Sequence, residues 1–92
     1  MTDKKVALVT GGSRGIGRAC ALELANAGFD VAINYVGNEE AANKTVEELK
    51  AVGVDAAAFK FNVTDKVAVE EGIKAVMAKF TRIDVLVNNA GN

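Results

Sequence analysis

The segment Thr10-Gly11-Gly12-Ser13-Arg14-Gly15-Ile16-Gly17 constrains this chain more than any other. It follows a compact apolar run, Lys5-Val6-Ala7-Leu8-Val9, that reads as a strand buried on both faces. It leads into Ile16, Ala19, Cys20, Leu24 and Ala27, whose spacing makes one face of a helix. A glycine-rich turn from strand to helix has specific physics. Gly11 has access to backbone angles closed to other residues. At Gly15 the missing Cβ lets an anion's oxygens approach the unpaired amides and positive dipole end of the helix. Gly17 lets helix and strand pack closely. The spacing G-x-x-x-G-x-G differs from G-x-G-x-x-G, and no lysine follows as it would in a phosphate loop. A pair of glycines alone would need no reason beyond packing. Three spaced glycines between a buried strand and an amphipathic helix point to phosphate binding.

The rest of the chain alternates in the same way. Gly28 stops the first helix, and Val31-Ala32-Ile33-Asn34-Tyr35 is the second strand. Asn38 is placed to cap a second helix, with Glu39 and Glu40 in its first turn, Ala42, Val46 and Leu49 as its stripe, and Gly53 at its end. Ala56-Ala57-Ala58-Phe59-Lys60-Phe61 is ambiguous, because three alanines favour helix. Its brevity and the alternating Phe59 and Phe61 favour a strand. Thr64 caps a third helix with the stripe Val69, Ile73, Val76, Met77 and Phe80, within which Gly72 costs roughly 1 kcal/mol relative to alanine. Ile83-Asp84-Val85-Leu86-Val87 is the fourth strand.

The order β-α-β-α-β-α-β, with short connections and no proline, specifies an α/β fold with a parallel sheet and right-handed crossovers. The expectation is the first half of a Rossmann-like, doubly wound domain with strand order 3-2-1-4. Helices one and two would cover one face and helix three the other. Residues 1–92 would form this single half-domain, with no second domain. An anion site would lie at the carboxyl ends of strands one and four, where the strand order reverses.

Composition removes several function classes. A net charge of −1 and a pI near 5.4 give no basic surface for nucleic acid. No apolar run approaches the ~18 residues of a membrane helix. Met1-Thr2-Asp3-Lys4-Lys5 has no signal-peptide layout, so the cytoplasm is the expected compartment. A lone cysteine and the absence of histidine speak against a disulfide framework, a metal site and a histidine general base. Cys20, on the expected stripe of the first helix, reads as a packing residue.

Thr10-Gly11-x-x-x-Gly15-Ile16-Gly17, with Asn88-Asn89-Ala90-Gly91 further on, resembles the short-chain dehydrogenase/reductase family. Asn62-Val63-Thr64-Asp65 and Ile83-Asp84-Val85-Leu86-Val87 add to the likeness, which is nearest to the bacterial 3-oxoacyl-acyl-carrier-protein reductases. The resemblance implies a nicotinamide cofactor. Gly11, Gly12, Ser13, Arg14, Gly15, Ile16 and Gly17 would surround its pyrophosphate. Asn62 and Val63 would meet the adenine, and Asn89, Ala90 and Gly91 the ribose beside the nicotinamide, while Asn88 would stabilise the sheet. It also implies hydride transfer to a 3-oxoacyl thioester on acyl carrier protein, with a tyrosine supplying the proton. The family's catalytic serine and Tyr-x-x-x-Lys pair are not among these residues: the one tyrosine, Tyr35, is followed by Asn38 and Glu39 at the spacings concerned. No catalytic residue is therefore assigned, and these 92 residues alone should be inactive. Two other readings stay open: a non-catalytic nucleotide-binding module or fragment, and another short-chain reductase such as a sugar or 3-hydroxyacyl-CoA dehydrogenase. Thr81 stands where relatives commonly end the helix with glycine, and a β-branched residue resists a left-handed cap.

The second strand ends in Asn34, Tyr35, Val36 and Gly37, all uncharged, where an NAD enzyme of this type places an acid. With Arg14 available to pair with a 2′-phosphate, the expected cofactor is NADP. The Tyr35 ring could flank an adenosine or cover the sheet edge. Glu39, Glu40, Glu47 and Glu48 read as a solvated helix face. An uncovered sheet face and an unpaired fourth strand lead us to expect self-association or a homo-oligomer.

Overall fold

Every residue of the first strand, β1 (Val6–Thr10), is buried, as a parallel strand between two layers should be. The computed structural model describes residues 4–13 and 15–89, so Arg14, Ala90, Gly91 and the chain ends lie outside the described residues. After β1 come α1 (Gly15–Asn26), β2 (Asp30–Tyr35), α2 (Glu39–Val52), β3 (Ala56–Lys60), α3 (Lys66–Phe80) and β4 (Val85–Asn88). The four strands form one parallel sheet in the order β3-β2-β1-β4, as the alternation requires. No helix among the described residues is long and apolar enough to cross a membrane.

The two faces carry separate cores. Val9, Val31, Ile33 and Tyr35 pack with Ala21 and Ala25 of α1 and Ala42 and Leu49 of α2. Val6, Leu8 and Ala32 pack with Val76 and Phe80 of α3. Phe59 meets Phe80 edge-on with ring centroids 6.4 Å apart. Phe61 explains the glycine inside α3: a Cβ on Gly72 would lie 2.6 Å from two atoms of the Phe61 ring.

Asn38 caps α2 by accepting the Ala41 amide at 2.9 Å, and Gly53 closes that helix with φ of 115°. The cap of α3 departs from expectation. It is Asp65, whose carboxylate accepts the Val67 and Ala68 amides at 3.1 and 3.2 Å. Thr64 instead donates its amide and hydroxyl to Asn62 Oδ1. A carboxylate outbids a hydroxyl at a helix start because the dipole favours its charge. Thr81 does take the left-handed position, with φ of 69° and its amide donated to Met77 O at 2.8 Å.

The buried face of α1 also differs. Gly17, Ala21 and Ala25 face the sheet, while Ile16 is 74% exposed. Ala19 and Ala27 are exposed, and Cys20 and Leu24 are half-buried. This helix has two apolar faces, and the one with the smallest side chains lets it approach the sheet. Ile16 looks outward beside β4 while Leu22 and Leu24 pack partly against the core, and the half-buried Cys20 lines an open groove with Ile16, Leu24 and Val87. Likewise Met77, expected in the α3 stripe, is 41% exposed.

Ion pairs fix two joints. Arg18 of α1 grips Glu48 of α2 through two bonds of 2.7 and 2.8 Å, so Glu48 is more than part of a solvated face. The Arg18 guanidinium holds the Glu48 carboxyl below its ordinary range. Asp84, ahead of β4, accepts the Val6 amide at 2.9 Å and a two-pronged Arg82 at 2.8 and 2.7 Å.

Candidate functional site

The turn between β1 and α1 lies at the carboxyl end of the sheet, where β1 has β2 on one side and β4 on the other. Its shape is set by groups outside it. Gly11 N donates to Asn34 Oδ1 at 3.1 Å, and Gly12 N donates to Asn34 O at 3.1 Å. Thr45 of α2 donates its hydroxyl to Ser13 O at 2.7 Å. Asn89 Nδ2 donates to Gly11 O at 3.3 Å.

The glycines divide the work. Gly15 opens α1 with φ of +65°, and beyond its own neighbours and helix no described residue lies within 4 Å of where its Cβ would sit. That space lies at the helix start, whose first amides have no partner within the helix. Gly17 is needed for close approach: a Cβ there would collide with the Gly11 carbonyl oxygen and lie 2.8 Å from Asn89 Nδ2. It therefore brings the helix against the turn itself. The approach of turn to strand falls to Gly12, where a Cβ would lie 2.8 Å from Ile33 Cβ of β2.

Two further segments reach the same end of the sheet. At the β4 end, Thr10 Oγ1 donates toward Val87 O and Asn88 Oδ1, both at 3.3 Å, and accepts the Asn89 amide at 2.9 Å. Asn88 pairs with Thr10 in the β1–β4 register and so belongs to the sheet seam. After β3, Asn62 Oδ1 folds back on Thr64, and Val63 lines a groove with Thr10, Thr64, Leu86 and Asn88. The structure thus brings Gly11, Gly12, Ser13, Gly15, Ile16, Gly17, Asn62, Val63 and Asn89 to the carboxyl end of the sheet. Arg14, Ala90 and Gly91 lie outside the described residues. Tyr35 is 9% exposed and packs in the core beneath α1 and α2, on an inner strand rather than at the sheet edge.

Sequence reasoning missed two residues of this assembly. Asn34 and Thr45 are each 1% exposed, and both spend their polar atoms on the turn or its neighbours. A signal existed for Asn34: a polar residue inside an otherwise apolar strand must find partners. Thr45 falls on the buried stripe of α2 between Ala42 and Leu49, the place for an apolar residue.

A glycine turn at the switch point of a parallel sheet of order β3-β2-β1-β4, beside a helix start, defines the first half of a doubly wound, Rossmann-like fold. The chain belongs to the short chain dehydrogenase family, whose pattern it matches over residues 5–92. It is 56% identical over 87 residues to the 3-oxoacyl-[acyl-carrier-protein] reductase FabG of Staphylococcus aureus. It is 52% identical over 87 residues to the 3-oxoacyl-[acyl-carrier-protein] reductase of Synechocystis sp.. Both matches take in 95% of this chain and 35% of the relative, so the chain spans about a third of the length of these curated relatives. The crystal structure of acetoin dehydrogenase YohF from Salmonella typhimurium is similar with a TM-score of 0.89 at 38% identity, covering 97% of this chain and 37% of that one.

Proposed function

We propose that this chain is the cofactor-binding part of an NADP(H)-dependent carbonyl reductase acting on 3-oxoacyl thioesters carried by acyl carrier protein in the cytoplasm. The observation that carries the reading is Gly15, left-handed and open above the first turn of α1. A Cβ there would enter empty space, which leaves room for phosphate oxygens against the helix amides, so the residues present fit a dinucleotide pyrophosphate. In this reading Gly11, Gly12, Ser13, Arg14, Gly15, Ile16 and Gly17 hold the pyrophosphate. Asn62 and Val63 meet the adenine, and Asn89, Ala90 and Gly91 lie along the nicotinamide ribose. When bound, the cofactor supplies the hydride. The residues of this chain bind and orient it. The serine and Tyr-x-x-x-Lys pair that such enzymes use at the carbonyl are not among them.

Preference for the phosphorylated cofactor rests on the end of β2. Asn34 is buried and engaged, Tyr35 is in the core, and Val36 and Gly37 follow without an acid that could hold a ribose 2′-hydroxyl. Arg14 would pair with the 2′-phosphate. Titration with NADP and NAD tests this. Tighter NADP binding that is lost in Arg14→Ala supports it, and equal affinities that survive the substitution overturn it.

The substrate class rests on the two relatives named as 3-oxoacyl-[acyl-carrier-protein] reductases. The likeness to an acetoin dehydrogenase favours a second reading, in which a different small carbonyl compound is reduced on the same fold. Turnover of acetoacetyl thioester against acetoin by the enzyme that contains this chain separates the two. We also propose that these 92 residues on their own self-associate. Leu86 is 59% exposed on one face of β4 and Val87 lines an open apolar groove on the other, which leaves apolar surface for a second copy to cover.

A further inference from the structure

Asn34 belongs to β2, yet its polar groups reach both the glycine turn and the β3–α3 connection. Its Oδ1 accepts the Gly11 amide at 3.1 Å, its Nδ2 donates to Phe61 O at 2.7 Å, and its backbone oxygen accepts the Gly12 amide at 3.1 Å. One buried residue therefore grips two consecutive amides of the turn and the carbonyl just ahead of Asn62 and Val63. The topology makes this possible, because β2 lies between β1 and β3. The chemistry selects a carboxamide, which offers an acceptor at one end and a donor at the other. A carboxylate would set a second acceptor against Phe61 O, and an apolar side chain would leave both backbone groups unpaired.

We propose that Asn34 is a positioning residue that locks the glycine turn to the β3–α3 connection, so that the segments assigned to pyrophosphate and adenine keep one fixed separation. Its effect on affinity passes through those segments rather than through contact with the cofactor. The proposal rests on the reading of the glycine turn as the cofactor's phosphate site. Thr45 pins the far side of the same turn at Ser13 O, so losing Asn34 frees the β3 side while the α2 side stays anchored.

The test is calorimetric titration of NADPH into the unsubstituted protein, Asn34→Asp and Asn34→Ser across pH 5 to 8. The binding stoichiometry separates affinity from the fraction folded. Asn34→Ser should lose about tenfold in affinity at every pH, the equivalent of one forfeited buried hydrogen bond. Asn34→Asp should lose at least as much at pH 8 and recover relative to the unsubstituted protein as the pH falls, because a protonated acid again pairs one donor with one acceptor. A merely structural role would lower the stoichiometry and leave the affinity of the folded fraction unchanged. Equal affinities in folded Asn34→Ser and the unsubstituted protein overturn the assignment while leaving the cofactor reading intact. If Asn34→Asp does not fold, Asn34→Ser decides alone. No NADPH binding by the unsubstituted protein overturns the cofactor reading and Asn34 with it.

Discussion

Gly15 and Gly17 stand two positions apart, yet alanine at each should do different damage. At Gly15 the backbone is left-handed, with φ of +65°, and the space beside it is open. An L-residue there costs roughly 1–2 kcal/mol. Alanine's narrower unfolded ensemble offsets about 0.4–1 kcal/mol of that. The net loss is about 1 kcal/mol, or a fall in Tm of about 4–8 °C for a domain of this size. Binding should suffer more, because the new methyl stands where phosphate oxygens must approach the helix amides. Displacing them by a methyl's width should cost tenfold or more in NADPH affinity. At Gly17 the new Cβ would overlap the Gly11 carbonyl oxygen and press on Asn89 Nδ2 from 2.8 Å. The Gly11 peptide cannot yield freely, since Asn34 holds its amide and Asn89 its carbonyl. Overpacking of this kind costs about 1–3 kcal/mol. Urea unfolding by circular dichroism without nucleotide, then NADPH calorimetry on the folded protein, reads both quantities. Gly15→Ala should lose about 1 kcal/mol of stability and bind poorly, and Gly17→Ala should lose more stability than Gly15→Ala. Unchanged affinity in Gly15→Ala would refute phosphate binding over this turn. Unchanged stability in Gly17→Ala would refute the close approach.

Thr81→Gly should raise stability by about 0.5–1 kcal/mol, since φ of 69° strains a β-branched residue and suits glycine; a lower urea midpoint would count against it. Arg82 first, and then the Val6 amide, hold the Asp84 carboxyl below its ordinary range. A pKa lowered on folding contributes stability above the unfolded value and loses it as the pH falls through the folded one. The β1–β4 seam should therefore loosen only below about pH 4, and Asp84→Asn should flatten that acid limb of Tm against pH; an unchanged limb refutes the role. Leu86→Lys should shift the 92-residue chain toward monomer in sedimentation velocity across a concentration series, and an unaltered distribution refutes self-association through this face of β4.

The fold was legible because its signals are local and agree. Buried runs at β1 and β2, caps at Asn38 and Gly53, and strict alternation leave few topologies. The departures came where two local signals compete. Thr64 and Asp65 are adjacent cap candidates; the charged Asp65 takes the helix start, while Thr64 bonds Asn62. In α1 the strongest apolar stripe by residue size was expected to be buried, but helix-to-sheet distance rewards the small residues Gly17, Ala21 and Ala25. Periodicity reports that a helix has an apolar face and is silent on which of two faces meets the sheet.

The site shows the same limit more sharply. A linear motif names the residues that touch a ligand, because their spacing is fixed by one short turn. It does not name the groups that hold the turn still, because those arrive from other elements. Asn34 is 23 positions from Gly11, Thr45 is 32 from Ser13, and Asn89 is 78 from Gly11. Each satisfies a backbone group that the turn's own shape leaves unpaired, and an unpaired buried group costs about 1–3 kcal/mol. A glycine-rich loop is the segment least able to hold itself, since glycine loses the most conformational freedom on folding. Its rigidity has to be imported. A polar residue in an apolar strand, and a threonine on an apolar helix stripe, are the traces that this leaves in the sequence.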